Sequence, residues 1–154
     1  MAEERVLNIV IPFLPPSSNK IYVSGRGGMR FLSKKAKEFK TRTISHIQAN
    51  HMADISRLDP GATYRVEYAF YFPPEELLNK TFGSGKKDLA TTRYKRMDVE
   101  NRLKLVSDAL STAIGIDDCQ FFEGSHSKLS FNLNGGTPMV NISVFKVAPE
   151  KYGV

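Results

Sequence analysis

Acidic residues recur at short spacing in the second half of the chain. Asp98 and Glu100 are two residues apart, and a second pair, Asp117 and Asp118, follows after an apolar stretch. Carboxylate oxygens are the ligands that hard divalent cations prefer, and Mg²⁺ often takes only a few of them together with water and a substrate phosphate. Such an ion lowers the pKa of a bound water and stabilises charge on a phosphoryl transition state. The pattern therefore indicates a metal site for phosphoester hydrolysis, formed by Asp98, Glu100 and Asp118.

A basic residue is spaced to share a helix face with these acids. Glu100, Lys104 and Asp108 follow one another at intervals of four, so they progress along one side of a helix. Lys104 could orient an attacking water or neutralise a scissile phosphate. Each of these charged residues also has an ordinary structural explanation, as a helix cap, a surface ion pair or a turn residue. Spacing alone leaves both explanations open.

Apolar periodicity predicts the helix that positions this cluster. Asp98 is a candidate N-cap, and the helix should run to about Ala113, just before Gly115. Its predicted buried stripe consists of Val99, Leu103, Val106, Leu110 and Ala113. Because these positions keep the helical period, the face that carries Glu100 and Lys104 should remain in solvent.

The remaining elements predict one α+β domain over residues 1–154, with a small mixed or antiparallel sheet and two main helices. Ser33 should cap a long helix over Lys34–Arg57, and residues 15–30 should form a loop or a glycine-tipped hairpin. Asn134-Gly135-Gly136 indicates a hairpin between the last two strands. The predicted strands are Val6–Phe13, Thr63–Phe72, Glu123–Asn132 and Met139–Val147.

The charge balance favours a polyanionic partner. The chain carries 22 basic and 16 acidic residues, a net charge of +6. Many of the cations lie in the first turns of the long helix and in a long polar loop over residues 75–97, a length typical of a binding loop, a lid or a locally disordered segment. The single cysteine excludes an intramolecular disulfide, and no Cys/His cluster indicates zinc. No secretory signal or membrane-spanning stretch is evident, so we expect a cytoplasmic protein.

Two segments resemble the RusA family of Holliday junction resolvases. The first, directly after the first strand, is Pro15-Pro16-Ser17-Ser18-Asn19-Lys20-Ile21-Tyr22. The second is Asp98-x-Glu100-Asn101-x-x-Lys104-x-x-x-Asp108-Ala109-Leu110, followed by Asp117-Asp118-x-Gln120. The family pattern usually has Asp where this chain has Glu100. That difference moves the carboxylate by one carbon–carbon bond, roughly 1.5 Å.

The resemblance implies a RusA-like fold and a homodimeric, Mg²⁺-dependent endonuclease of bacterial or phage-infected cells that acts on four-way junctions in DNA recombination and repair. Mn²⁺ is an alternative metal. It implies that Asp98, Glu100 and Asp118 bind the metal and act in catalysis with Lys104, and that Asn101, Asp108, Asp117 and Gln120 support them. The expected DNA-binding residues are Asn19, Lys20, Tyr22, Arg26, Arg30, Lys34, Lys35, Lys86, Lys87, Arg93, Lys95 and Arg96.

Two alternatives remain open. Glu100 could have weakened catalysis and left a non-catalytic protein that binds branched DNA, or the nuclease could act on flaps or forks. An interaction protein whose acids are only caps and turn residues is a further possibility from a different class.

Overall fold

A computed structural model describes residues 3–80, 93–95, 97 and 99–154. The helices are α1 (Lys34–Ile55), the short α2 (Pro74–Leu77) and α3 (Glu100–Ile114). The strands are β1 (Glu3–Ile11), β2 (Tyr22–Ser24), β3 (Arg30–Leu32), β4 (Thr63–Phe72), β5 (Phe121–Ser130) and β6 (Met139–Val147). Both main helices and all four predicted strands are therefore present, and the predicted α+β class is confirmed.

Four strands form a mixed sheet in the order β1-β6-β4-β5. β6 pairs antiparallel with both β1 and β4, whereas β5 runs parallel to β4. Along β4 every second side chain is buried, from Tyr64 to Phe72, because successive residues of a strand point to opposite faces. These side chains join residues of α1 and α3 in one hydrophobic core, so both helices lie on the same face of the sheet.

The predicted hairpin between the last two strands is wrong. β4 lies between β5 and β6, so these consecutive strands never pair. Gly135 and Gly136 do adopt positive φ, but they follow a short 3₁₀ turn from which the chain crosses to the far side of β4. The turn signal was correct locally. Pairing was decided instead by β4, whose alternating apolar residues form the middle of the sheet.

The prediction of a hairpin over residues 15–30 is confirmed in part of that segment. β2 and β3 pair antiparallel, with Tyr22 opposite Leu32. The long basic segment after β4 is closed at its base, where Leu78 pairs with Tyr94 in an antiparallel bridge. Residues 81–92 of this predicted loop, together with Arg96, lie outside the described residues.

The two main helices begin differently. Ser33 caps α1 as predicted, and its Oγ accepts a hydrogen bond of 3.1 Å from the Ala36 backbone. α3 begins at Glu100 directly after Val99, whose side chain makes no capping hydrogen bond, and the predicted cap at Asp98 stays a prediction. Asp98 itself lies outside the described residues.

The buried face of α3 is slightly rotated from the predicted stripe. Leu103 is only half-buried, whereas Arg102 and Leu105 are buried beside Val106. The helix ends as predicted at Gly115, which adopts a φ of 71°. Within the part of the chain that the structure describes, no helix is long and apolar enough to cross a membrane.

We predict that Ile142→Ala destabilises the fold by about 2–5 kcal/mol, because the change leaves a cavity in a well-packed core. Ile142 is 0% exposed at the centre of the sheet. Val10→Ala is the matched control, since this strand residue is 41% exposed and should cost less than about 1 kcal/mol. Urea denaturation of both variants measures the difference. Equal losses would contradict the assigned core.

Candidate active site

The first three turns of α3 carry the predicted catalytic face. Glu100 lies in the first turn and is exposed. One and two turns later come Lys104 and Asp108, whose Nζ and Oδ2 atoms are 3.9 Å apart. Asn101, beside Glu100, is half-buried. The predicted arrangement of Glu100, Lys104 and Asp108 along one side of the helix is therefore present.

A buried arginine fixes this end of α3. Arg102 is only 6% exposed, and its Nε donates a hydrogen bond of 3.1 Å to the Pro16 carbonyl. The guanidinium also lies 5.0 Å from the centroid of the Phe72 ring, an attractive cation–π geometry. It therefore ties the loop after β1 and the end of β4 to the helix that carries Glu100.

The charge of Arg102 has a nearby counterion. Burial lowers the pKa of Arg102, and the negative charge of Glu76 on α2 opposes that shift. Sequence reasoning did not single out Arg102. The available signal was its position between Val99 and Val106 on the apolar side of the helix, where a cation needs a specific partner.

A cleft of about 620 Å³ opens beside Arg102. Its lining residues are Ser17, Ser18, Asn19, Glu76, Lys95, Met97 and Arg102. Two of the predicted DNA-binding residues, Asn19 and Lys95, therefore lie at the start of α3, next to the predicted catalytic face. The Oε2 atom of Glu76 is buried and accepts no hydrogen bond from the described residues.

The β2–β3 hairpin brings other predicted DNA-binding residues together. The Ser33 N–H donates to the Ile21 carbonyl at 2.7 Å, and the Ser33 hydroxyl donates to the Lys20 backbone carbonyl, so the hairpin base is attached to the start of α1. This attachment groups five exposed cations, namely Lys20, Arg26, Arg30, Lys34 and Lys35. We call these five residues the basic hairpin surface.

The remaining predicted DNA-binding residues differ in how they are placed. Tyr22 is half-buried, and the Arg30 guanidinium lies over its ring at 4.7 Å, so a cation already occupies the face expected to stack on a base. Arg93 is exposed at the base of the long segment. Lys86, Lys87 and Arg96 lie outside the described residues.

Asp118 lies in a 3₁₀ turn between α3 and β5 that its neighbours hold in place. Asp117 caps the turn, and its Oδ1 accepts a hydrogen bond of 2.9 Å from the Cys119 backbone, which lowers the pKa of the Asp117 carboxyl. The Nε2 of Gln120 donates to the carbonyls of Pro60 and Ala62 at 2.8 and 2.9 Å. These contacts fix Asp118, which is exposed, beside the start of β4.

The structure does not bring Glu100 and Asp118 together within one chain. They flank α3, whose 15 residues span about 22 Å at the usual helical rise. Contacts with β4 also show that the two acids lie far apart. Arg102, close to Glu100 in the chain, lies over Phe72 at the end of β4, whereas Gln120, close to Asp118, binds Ala62 just before the start of β4. Consistently, the described residues include no group of three His, Cys, Asp or Glu side chains that could hold a metal ion.

We predict that Arg102→Leu lowers the free energy of unfolding by about 1–3 kcal/mol, because it removes a charged hydrogen-bond donor and leaves Glu76 without its counterion. Lys104→Leu is the control, since that side chain is 64% exposed and its loss should change stability by about 0.5 kcal/mol or less. Chemical denaturation compares the two. Similar effects would show that Arg102 does not anchor the helix.

Comparison with known proteins identifies the family. Residues 12–144 of this 154-residue chain match the family described as Endodeoxyribonuclease RusA. The match includes the loop after β1, the basic hairpin surface, α3 and the Asp118 turn. No match was found among curated individual proteins. Because the family match spans most of its length, the chain belongs to the RusA endodeoxyribonuclease family.

Proposed function

We propose that this chain is a Mg²⁺-dependent endodeoxyribonuclease that resolves Holliday junctions by paired nicks near the branch point, acting as a homodimer in DNA recombination and repair. The observation that carries the proposal is the start of α3, where Glu100 and Lys104 are exposed beside a cleft lined by Asn19 and Lys95. Membership of an endodeoxyribonuclease family supplies the reaction class.

The proposed metal ligands are Asp98, Glu100 and Asp118. Their donor chemistry fits Mg²⁺, or Mn²⁺ in its place, because all donors are carboxylate oxygens. When bound, the ion supplies an acidified water and stabilises negative charge on the phosphoryl group. Lys104 lies one turn beyond Glu100, where its ammonium group can neutralise a scissile phosphate. The weak 3.9 Å contact with Asp108 leaves Lys104 able to move to that phosphate.

The distance between Glu100 and Asp118 determines how such a site must be assembled. Two carboxylates that share one ion lie within about 5 Å of each other, given metal–oxygen distances near 2 Å. A helix length separates these residues in one chain. We therefore propose that each metal site combines Glu100 and the preceding Asp98 of one protomer with Asp118 of its partner. A two-fold dimer repeats this arrangement and yields two equivalent sites.

Two equivalent sites suit a four-way junction. Such a junction has strands of the same polarity related by two-fold symmetry, and resolution requires one nick in each of two such strands. Phosphate contacts from the basic hairpin surface and from Lys95 would set the position of the DNA backbone over each site, since these cations are exposed. Binding through phosphates implies a steep dependence on salt.

The test of the reaction is cleavage of a synthetic four-way junction, a fork and plain duplex with Mg²⁺ or Mn²⁺. We expect preferential, metal-dependent nicking of the junction, and Asp118→Asn should reduce it by about 10²-fold or more while DNA binding persists. Asp54→Asn, an exposed carboxylate on α1, is the control and should retain activity.

Junction binding without nicking, under either metal, would instead identify a non-catalytic protein that binds branched DNA. This outcome is worth testing because the chain has Glu100 where the family pattern usually has Asp. Preference for the fork over the four-way junction would keep the nuclease and change its substrate.

The shared site has its own test, which is to mix two inactive variants. Glu100→Gln and Asp118→Asn should each be inactive alone. After subunit exchange, a heterodimer contains one site with both original carboxylates, so nicking should return to about one quarter of the wild-type level. The restored activity should cut single strands rather than strand pairs. A site contained within one chain predicts no recovery at any mixing ratio.

A further inference from the structure

A groove of about 310 Å³ lies between the segment that follows β1 and the first turns of α1. Its apolar lining residues are Phe13, Leu14, Pro16 and Phe39, and its charged ones are Lys35, Glu38 and Arg42. We call it the α1 groove. It shares no described lining residue with the cleft beside Arg102, so the candidate active site does not account for it.

The floor of the α1 groove is apolar and held in place. Phe39 is buried, and the Phe13 ring meets it edge-on, with the ring centroids 5.5 Å apart. Phe13, Leu14 and Pro16 are only half-buried, so part of their surface faces solvent. The far end of the segment is fixed because the Pro16 carbonyl accepts the hydrogen bond from Arg102. The floor therefore offers ordered apolar surface to a ligand side chain.

Two cations border this floor. Lys35 and Arg42 are exposed, and in the described part of the chain neither forms an ion pair. The Arg42 guanidinium lies over the Phe13 ring, 3.8 Å from its centroid, which holds the group beside the floor and leaves its N–H donors for an anion. Seven residues apart, the two cations share one helix face at a separation of about 10 Å. The groove therefore fits a ligand with negative charge.

An acid lies between the two cations. Glu38 follows Lys35 by three residues and precedes Arg42 by four, so it is on the same face of α1. It is exposed, and its 3.9 Å ion pair with Lys34 neutralises it only weakly. A nucleic-acid backbone has a charge at every nucleotide and would be repelled here. The groove instead favours two negative charges separated by an uncharged group.

The backbone of the floor has donors without a partner. Pairing of β1 with β6 ends at Ile11, and no described residue accepts a hydrogen bond from the backbone N–H of Phe13 or Leu14. An extended peptide carries a series of carbonyls that can accept such bonds, which is how peptides add to the ends and edges of sheets. The donors therefore favour a peptide as the occupant.

We propose that the α1 groove binds an extended peptide segment of a partner protein, in which two acidic residues flank one large apolar residue in the order acid-x-apolar-x-acid. In an extended chain these three side chains point to the same face, and the acids lie about 13 Å apart. The long side chains of Lys35 and Arg42 make up the difference from their own spacing. The apolar side chain then rests on Phe13 and Leu14 beside Glu38.

A synthetic peptide tests the proposal. Fluorescence anisotropy of a rhodamine-labelled Ser-Glu-Ser-Phe-Ser-Glu-Ser peptide should show saturable binding to the full chain below about 1 mM. Replacing both glutamates of the peptide by lysine, or its phenylalanine by serine, should weaken binding about tenfold or more, because each change removes one of the two kinds of contact. Neither measurement requires DNA or a metal.

Variants of α1 test the charged residues of the groove. Arg42→Glu should weaken peptide binding about tenfold or more, since it replaces an attraction by a repulsion. Arg57→Glu is the matched control, because Arg57 is also exposed but lies outside the groove and pairs with Asp54 at 2.8 Å. Circular dichroism should find both variants folded. Glu38→Gln should strengthen binding of a peptide with glutamate at the central position, which the wild type should bind poorly.

NMR spectra locate the bound peptide. We expect its largest effects at the backbone amides of Phe13 and Leu14 and at the Arg42 side chain. The same spectra with a short DNA duplex serve as the comparison, since Lys35 belongs to the basic hairpin surface as well as to the groove.

Three outcomes would overturn the peptide groove. The first is no saturable binding, and the second is binding that Arg42→Glu leaves unchanged. The third is a duplex, rather than the peptide, that shifts Phe13 and Arg42, which would assign the groove to DNA. None of these results bears on metal-dependent cleavage, so the nuclease proposal stands or fails separately.

Discussion

The parallel pairing of β4 with β5 is the constraint on which the rest of the structure depends. Parallel neighbours cannot be joined by a hairpin, so the chain must return along the whole sheet before the second strand begins. α3 makes most of that return, and its 15 residues separate Glu100 from Asp118 by the length of the sheet. The direction of β5 therefore places the two parts of the candidate site at opposite ends of α3. The strand order, in turn, leaves β5 at an edge of the sheet.

Arg102 is what keeps the Glu100 end of α3 in a defined place. Side-chain caps stabilise helix starts, and among the described residues that precede α3 Val99 supplies none. The buried guanidinium compensates by binding the Pro16 carbonyl and by packing over Phe72. Because the loop after β1 leads into the basic hairpin surface, this contact sets the distance from the proposed phosphate-binding cations to the catalytic face.

Only some of the candidate site was predictable. The alignment of Glu100, Lys104 and Asp108 follows from helical spacing, which is a local property. The clustering of Lys20, Arg30 and Lys34 could not be predicted from the sequence, because it depends on the hydrogen bonds from Ser33 to the base of the hairpin. Arg102 was also missed, since its polar character and its buried position give opposite signals that only packing resolves.

The sequence by itself determined the strands, the two main helices, the cap at Ser33 and the family motifs, because these depend on residues close together along the chain. Only the tertiary structure decided strand order, since pairing depends on which faces can be buried together rather than on turn residues such as Gly135. It also decided that Glu100 and Asp118 lie at opposite ends of α3. Neighbours in a motif can be a helix length apart in space, because a helix that joins two parallel strands must span the sheet.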